Sequence, residues 1–166
     1  AINVVKEYLN VRREENELHL SKNRYCAEET LVISETEIKV PGTTELVDMN
    51  CRVKTEIREI QNGFLEEFKR NKTSDEEAVD FDKVSMPLTV RARKTGDRFW
   101  PLGAQGLKKI KDFFIDNKVP VMERDTVPIV TMNGEPIWLV GFRIDDRIRV
   151  SEETTNLLVM KFETIK

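Results

Sequence analysis

At 166 residues the chain has room for one large domain or two small ones, and with 39% apolar residues it can bury a core. The 34% charged residues and net charge of −3 fit a soluble chain with much exposed surface. No apolar run approaches the ~18 residues needed to cross a bilayer, and no basic-then-apolar leader opens the sequence, so no membrane partner and a cytoplasmic location are expected. Ala1 stands where an initiator methionine would be, which fits a chain that begins inside a longer protein or was processed.

In chain order, Ile2, Val5, Tyr8 and Leu9 fall at helical spacing, so residues 2–13 are expected to be the tail of a helix. Short strands are expected at 17–20 and 29–33, and again at Glu37–Val40, closed by the Pro41-Gly42 turn. Leu46–Met49 continues the strand pattern. Cys51–Ile57 alternates, with Cys51, Val53, Thr55 and Ile57 on one face and Arg52, Lys54 and Glu56 on the other. Phe64, Leu65 and Phe68 predict one helical turn. Asn71–Glu77 has turn composition and no apolar residue, so a long loop or linker is expected there.

Leu88–Arg93 alternates again, as a strand with Thr89, Arg91 and Arg93 on a basic outer face. Lys94–Asp97 reads as a turn. Leu107–Asn117 is expected to be a helix with Leu107, Ile110 and Phe114 on one stripe, limited by Pro120. Strands are expected at Val127–Met132 and Ile137–Phe142, joined by an Asn133-Gly134 hairpin turn. Arg147–Val150 and Asn156–Phe162 complete the set. Many strands, few helices and no regular β-α-β alternation argue for an α+β or mostly β fold.

Two cysteines, Cys26 and Cys51, allow one disulfide at most and are expected to be reduced. His19 is the only histidine and sits in a strand-like alternation, where a structural or solvent-facing role is expected. Neither a zinc site nor a histidine-based catalytic arrangement follows from these residues. Catalytic residues and metal ligands are therefore expected to be absent.

The strongest anomaly is electrostatic. Between Arg91 and Lys111 the seven cations Arg91, Arg93, Lys94, Arg98, Lys108, Lys109 and Lys111 face one acid, Asp97. That local +6 leaves −9 for the rest of the chain. A positive island in an acidic protein suggests a polyanion, most commonly nucleic acid. Gly103-Ala104-Gln105-Gly106 precedes the expected helix. The segment reads either as a phosphate clamp at a helix start or as a turn into a helix with solvated lysines. It lacks Walker A spacing, so no ATP site is expected. Phe99 is expected in the core, whereas Trp100 fits either core packing or base stacking. Asp97 is expected to pair with Arg98 or another nearby arginine. Asp145 and Asp146 are expected to serve in ion pairs or a hairpin loop.

The order of motifs then closely resembles the C-terminal region of bacterial tRNA(Ile)-lysidine synthases. The resemblance rests on Phe81-Asp82, Pro87–Arg93, Gly96–Gly103, Gly106–Phe114, Lys118-Val119-Pro120, Glu123-Arg124-Asp125, Pro128, Trp138–Asp145 and Thr154-Thr155. Val40-Pro41-Gly42 and Leu18–Ser21 look like the family's preceding middle segment.

The resemblance implies an α+β, strand-rich layered sandwich with few helices, akin to a domain of the phenylalanine-tRNA synthetase β subunit. It implies three parts: residues 1–70 as the end of a middle-domain helix plus strands, 71–80 as an acidic linker or loop, and 81–166 as a C-terminal α+β tRNA-binding domain. The complete family enzyme, a ligase, uses ATP and magnesium to adenylate the wobble cytidine of a tRNA(Ile) with a CAU anticodon, and lysine then forms lysidine. Its Ser-Gly-Gly-x-Asp-Ser loop has no counterpart here, since the chain contains no Gly-Gly step. Hence this chain is expected to hold no cofactor itself, to take tRNA and the family's N-terminal catalytic domain as partners, and to be non-catalytic. The expected tRNA contacts are Arg91, Arg93, Lys94, Arg98, Lys108, Lys109 and Lys111, with Lys118 and Arg124 outside them. The rival readings are a self-sufficient RNA or nucleotide enzyme and a protein-interaction or dimerisation module without RNA binding. The strand edges are compatible with a homodimer.

Overall fold

The computed structural model describes residues 33–165, together with the backbone of 9–14 and 17–22. The chain divides into a first unit, Ala1–Leu31, and a second, Val32–Lys166. In the first, β1 (Leu9–Glu14) and β2 (Glu17–Lys22) form an antiparallel hairpin running from Leu9 opposite Lys22 to Glu14 opposite Glu17. The helix expected over 2–13 is therefore wrong from Leu9 onward. Leu9 and Val11 also alternate with period two, and a facing strand with the same alternation at Leu18 and Leu20 extends that segment. Residues 2–8, the side chain of His19, Cys26 and most of the strand expected at 29–33 lie outside the described residues. Ile33 belongs to no regular element.

In the second unit come β3 (Thr36–Glu37), β4 (Gly42–Leu46), β5 (Cys51–Glu59), α1 (Phe64–Asn71) and β6 (Glu76–Asp80). β7 (Leu88–Arg91), β8 (Arg98–Phe99), β9 (Lys108–Lys109) and α2 (Ile110–Asp116) follow. β10 (Ile129–Met132), β11 (Glu135–Leu139), β12 (Arg143–Ile144) and β13 (Asn156–Thr164) end the chain. One sheet has the order β12-β11-β10-β7-β3, the other β4-β5-β13-β6, and β8-β9 is a separate two-stranded ribbon. The fold is α+β and strand-rich.

The first sheet is covered on both faces because its strands are apolar at successive positions rather than alternate ones. Ile129 and Leu139 pack with Phe99, Ile110, Phe113 and Phe114, which places α2 and β8 on one side. Val90, Val130 and Trp138 pack with Val53, Val79, Leu158 and Met160 of the second sheet on the other. The Trp138 and Phe162 rings meet edge to face at 5.4 Å. Each such fully buried large side chain contributes roughly 1.5–3 kcal/mol.

The turns follow their sequences. Asn133 and Gly134 have φ of 51° and 80°, the pair of positive values a type I′ hairpin turn requires. Other expectations change. The strand expected over Glu37–Val40 keeps only Glu37, in β3. Beyond Leu46, which ends β4, Val47–Met49 is a 3-10 turn rather than a strand. It ends at left-handed Asn50 and reverses the chain, so that Leu46 faces Cys51. The linker expected at 71–80 shrinks to Lys72–Asp75. Ala78 and Val79 are buried, and Glu76–Asp80 pairs with β13 inside the second unit. Asp146–Ile148 is a 3-10 turn, not part of a strand at Arg147–Val150, because Asp145 caps it through the Arg147 N–H.

Candidate nucleic-acid interface

The ribbon β8–β9 is the centre of the basic island. After β7 the chain turns at Lys94–Asp97, where the Asp97 N–H donates to the Lys94 carbonyl and Gly96 has φ of 88°. Arg98 then stands opposite Lys109, and Phe99 opposite Lys108. Phe99 is buried against Phe113, with ring centroids 5.1 Å apart, so Arg98 faces outward. Lys109, its cross-strand neighbour, is exposed beside it. Cβ atoms of opposed residues lie about 4.5–5.5 Å apart, and like charges so placed are destabilising. Neither side chain has a hydrogen bond or ion pair among the described residues.

The loop between these strands is tightly tethered. Asp145, fully buried, accepts from the Trp100 N–H at 2.9 Å and from the Arg147 N–H at 2.9 Å. The Arg147 guanidinium adds two bonds to the same carboxylate, both 2.9 Å, and a third to Glu135 at 3.0 Å. That partnership, with Asp145 first, raises the pKa of Arg147. The Gly103 N–H donates to Asp146 at 3.1 Å, the Leu102 N–H to the Ile144 carbonyl at 3.0 Å, and the Trp100 indole to the Ala104 carbonyl at 2.7 Å. Trp100 is half-buried and serves this loop. Asp145 and Asp146 thus have the ion-pair and loop roles their sequence suggested.

The expected site residues separate into distinct groups. Arg91 is a correction. It is 3% exposed, and its guanidinium grips Asp97 through two bonds, 2.7 and 3.0 Å, and the Ala92 and Gly134 carbonyls at 3.0 Å. Arg91 stands opposite Ile129, which packs with Phe99, Ile110 and Phe114, so this face of β7 is covered at Arg91 and the outer basic face expected there does not exist. Asp97 accordingly pairs with Arg91, not Arg98. Arg93 is half-buried and bound to Asp125 at 2.7 Å, Lys94 is exposed and bound to Glu35 at 3.1 Å, and Lys108 pairs with Asp116. Arg124 donates to the Val119 carbonyl at 2.9 Å. Arg98, Lys109, Lys111 and Lys118 remain exposed, with no ion-pair partner among the described residues.

Arg143 is a further cation of this kind that sequence reasoning did not select. It is exposed in β12, next to Ile144, whose carbonyl holds Leu102 of the ribbon loop. Phe142 beside it packs on Phe113 and Phe114 of α2 at 6.4 and 5.6 Å. A mixed-charge run hid it, because only the fold shows that its neighbours Asp145 and Asp146 turn inward to the loop.

The glycine segment does not open a helix. Lys108 and Lys109 are strand residues, α2 begins at Ile110, and the Ile110 N–H is taken by the Asp97 carbonyl. The phosphate clamp at a helix start is therefore wrong. Leu107 is 58% exposed rather than on the buried stripe.

Elsewhere the chemistry is quiet. A groove of about 500 Å³ lies beside α1 and is lined by Lys54, Arg58 and Lys161. All three are engaged by acids: Lys54 by Glu163, Arg58 by Glu56 and Lys161 by Glu76. Cys51 is free, and burial, with Asp75 nearby, pushes its thiol pKa up. Among the described residues no three His, Cys, Asp or Glu side chains gather to hold a metal.

Residues 88–160, which include the ribbon and its loop, match the family model described as the TilS substrate C-terminal domain. The tRNA(Ile)-lysidine synthase of Caldanaerobacter subterraneus subsp. tengcongensis is 36% identical over 125 residues, covering 75% of this chain and 26% of that protein. The chain thus spans about a quarter of the length of this curated relative. A crystal structure of a TILS C-terminal domain superposes with a TM-score of 0.64 at 28% identity, covering 80% of this chain and 98% of that one. An N-terminal fragment of the phenylalanyl-tRNA synthetase β-subunit from Pyrococcus horikoshii shares the fold, with a TM-score of 0.54 at 16% identity over 69% of this chain and 39% of that one.

Proposed function

We propose, from the match of residues 88–160 to the TilS substrate C-terminal domain model, that this chain is the tRNA-binding, non-catalytic C-terminal part of a tRNA(Ile)-lysidine synthase. In this reading a separate catalytic domain of the same cytoplasmic enzyme uses ATP, with magnesium, and lysine to convert the wobble cytidine of tRNA(Ile) bearing a CAU anticodon to lysidine. The present chain supplies grip. The observation that carries the reading is the unneutralised pair Arg98 and Lys109, opposed on an exposed ribbon. Repulsion of that kind is retained where an anion relieves it, and a row of phosphates is such an anion. Lys111, Lys118 and Arg143 are exposed cations of the same domain with no ion-pair partner among the described residues. An A-form duplex presents phosphates and 2′-hydroxyls rather than readable major-groove edges, so contacts by flexible cations suit its recognition.

Binding of a tRNA(Ile) transcript, titrated against salt, tests this. The double substitution R98Q/K109Q is expected to weaken binding and to lower the log–log salt slope by about 1.4–1.8, the share of two phosphate contacts. Unchanged affinity and slope would sink the assignment of the surface. A dimer in solution that covers Arg98 and Lys109, with no tRNA affinity, would replace the reading with that of an association module.

A further inference from the structure

We propose that Asp145 is a positioning residue for RNA binding, a buried carboxylate that presets the β8–β9 ribbon. The inference rests on the reading that Arg98 and Lys109 grip RNA. Only two residue pairs hold the ribbon together, Arg98 with Lys109 and Phe99 with Lys108. Two pairs in isolation do not define a conformation, so its shape comes from its surroundings: Phe99 in the core and the Ile110 N–H on the Asp97 carbonyl fix the open end, and the loop end is set by what the loop is tied to. The loop is tied to 144–146. Trp100, the residue after β8, gives its N–H to the Asp145 carboxylate at 2.9 Å and its carbonyl to the Asp146 N–H at 2.7 Å. Pro101 bridges Asp145 directly, Leu102 bonds to Ile144, and Gly103 bonds to the Asp146 side chain. Asp145 is the centre of this set. Its two oxygens accept four bonds: one from the Trp100 backbone, one from the Arg147 backbone and two from the Arg147 guanidinium.

A fully buried charge is expensive unless paired and hydrogen-bonded, and here every bond it makes fixes either the ribbon loop or the turn that backs it. The same tie fixes the chain beside Arg143, since β12 ends at Ile144, immediately before Asp145. Asp145 therefore acts through the backbone that sets the spacing of Arg98, Lys109 and Arg143, without touching RNA itself.

The sign of its effect is diagnostic. Removing an acid from the neighbourhood of a polyanion site by itself tightens binding. Positioning predicts the reverse. In the full chain, D145N is expected to weaken binding of a tRNA(Ile) transcript several-fold and to lower the salt slope toward that of R98Q/K109Q. Combining D145N with R98Q/K109Q is expected to leave affinity within about twofold of R98Q/K109Q alone, because both changes remove the same contacts. D146N, which disturbs the Gly103 tether and a 3.5 Å ion pair with exposed Arg149, is expected to give a smaller loss of the same kind and supplies the test if D145N does not fold. Measured well below the melting temperature, a purely structural role leaves the slope at its wild-type value. Tighter or unchanged binding by both variants, or losses that multiply independently in the combined variant, overturn the proposal. If R98Q/K109Q alone has no effect, the RNA reading fails instead, and the two failures are distinct.

Discussion

Arg91 and Asp97 close a two-bond ion pair inside the most basic segment of the chain, with side chains 3% and 12% exposed. The pair joins three pieces: β7, the Lys94–Asp97 turn whose Lys94 N–H also bonds to Asp97, and the hairpin turn at Gly134. Breaking a buried pair by removing one partner leaves an uncompensated charge and typically costs about 3–5 kcal/mol. R91Q and D97N are each expected to show losses toward that range in urea melts, with tRNA affinity of the folded fraction largely kept. A stable R91Q that has lost tRNA binding would restore Arg91 to the RNA-contacting set.

Arg98 and Lys109 should behave in the opposite way. Their opposition costs stability, and each exposed side chain buries little. R98Q is therefore expected to stabilise the fold by about 0.2–1 kcal/mol at low ionic strength, a gain that shrinks with added salt as screening increases. Thermal melts at two salt concentrations measure it. A destabilised R98Q at low salt would mean that this cation has a structural partner after all. Gain of stability with loss of RNA affinity is the signature that separates a binding residue from Arg91.

Much of the fold was legible because its signals are local. The Asn133-Gly134 turn, the alternation of Cys51–Ile57 and the apolar runs of β10 and β11 each specify a conformation over a few residues. What failed depended on distant partners. Nothing near Glu76–Asp80 indicates that β13 will pair with it, and acidic composition hid a buried strand. Charge was legible as a sum but not as a distribution. The +6 island is a sum over one segment, and within it burial and ion pairing remove Arg91, Arg93, Lys94 and Lys108 from the freely available set. Arg143 entered only because hydrogen bonds from Leu102 to Ile144 and from Trp100 to Asp145 bring its strand to the ribbon.

Leu107 and Ile110 give a sharp test of where the helix starts. A helix from Leu107 puts both on one buried stripe. In the observed fold Leu107 is exposed and Ile110 is 1% exposed among Phe99, Phe113 and Phe114. I110A is expected to cost about 2–5 kcal/mol as a core truncation, and L107A to stay within about 0.5 kcal/mol of wild type. Comparable losses for the two in denaturant melts would revive the longer helix.

The outer face of the second sheet predicts an acid limb in the stability profile. A hydrogen bond from Lys161, then one from the Thr73 N–H, hold Glu76 below its ordinary pKa of 4.5. Lys54, then Arg52, do the same for Glu163. A carboxyl whose folded pKa is depressed binds fewer protons folded than unfolded in the interval between the two values. Its stabilisation is complete above the unfolded value near 4.5 and is lost as pH falls through the lower folded value. Urea midpoints are therefore expected to carry the full contribution of these groups at neutral pH, with no dependence on pH there, and to fall progressively below about pH 5. E76Q removes one titrating group and should flatten that limb while leaving the Glu163 share. Since β6 carries Glu76 and β13 carries its partner Lys161, the Glu76 share of the loss should appear as weakened β6–β13 pairing. Amide exchange at Ala78 and Val79 on acidification reports it. An acid limb as steep in E76Q as in wild type, with no early exchange at those amides, would assign the acid sensitivity to other carboxylates.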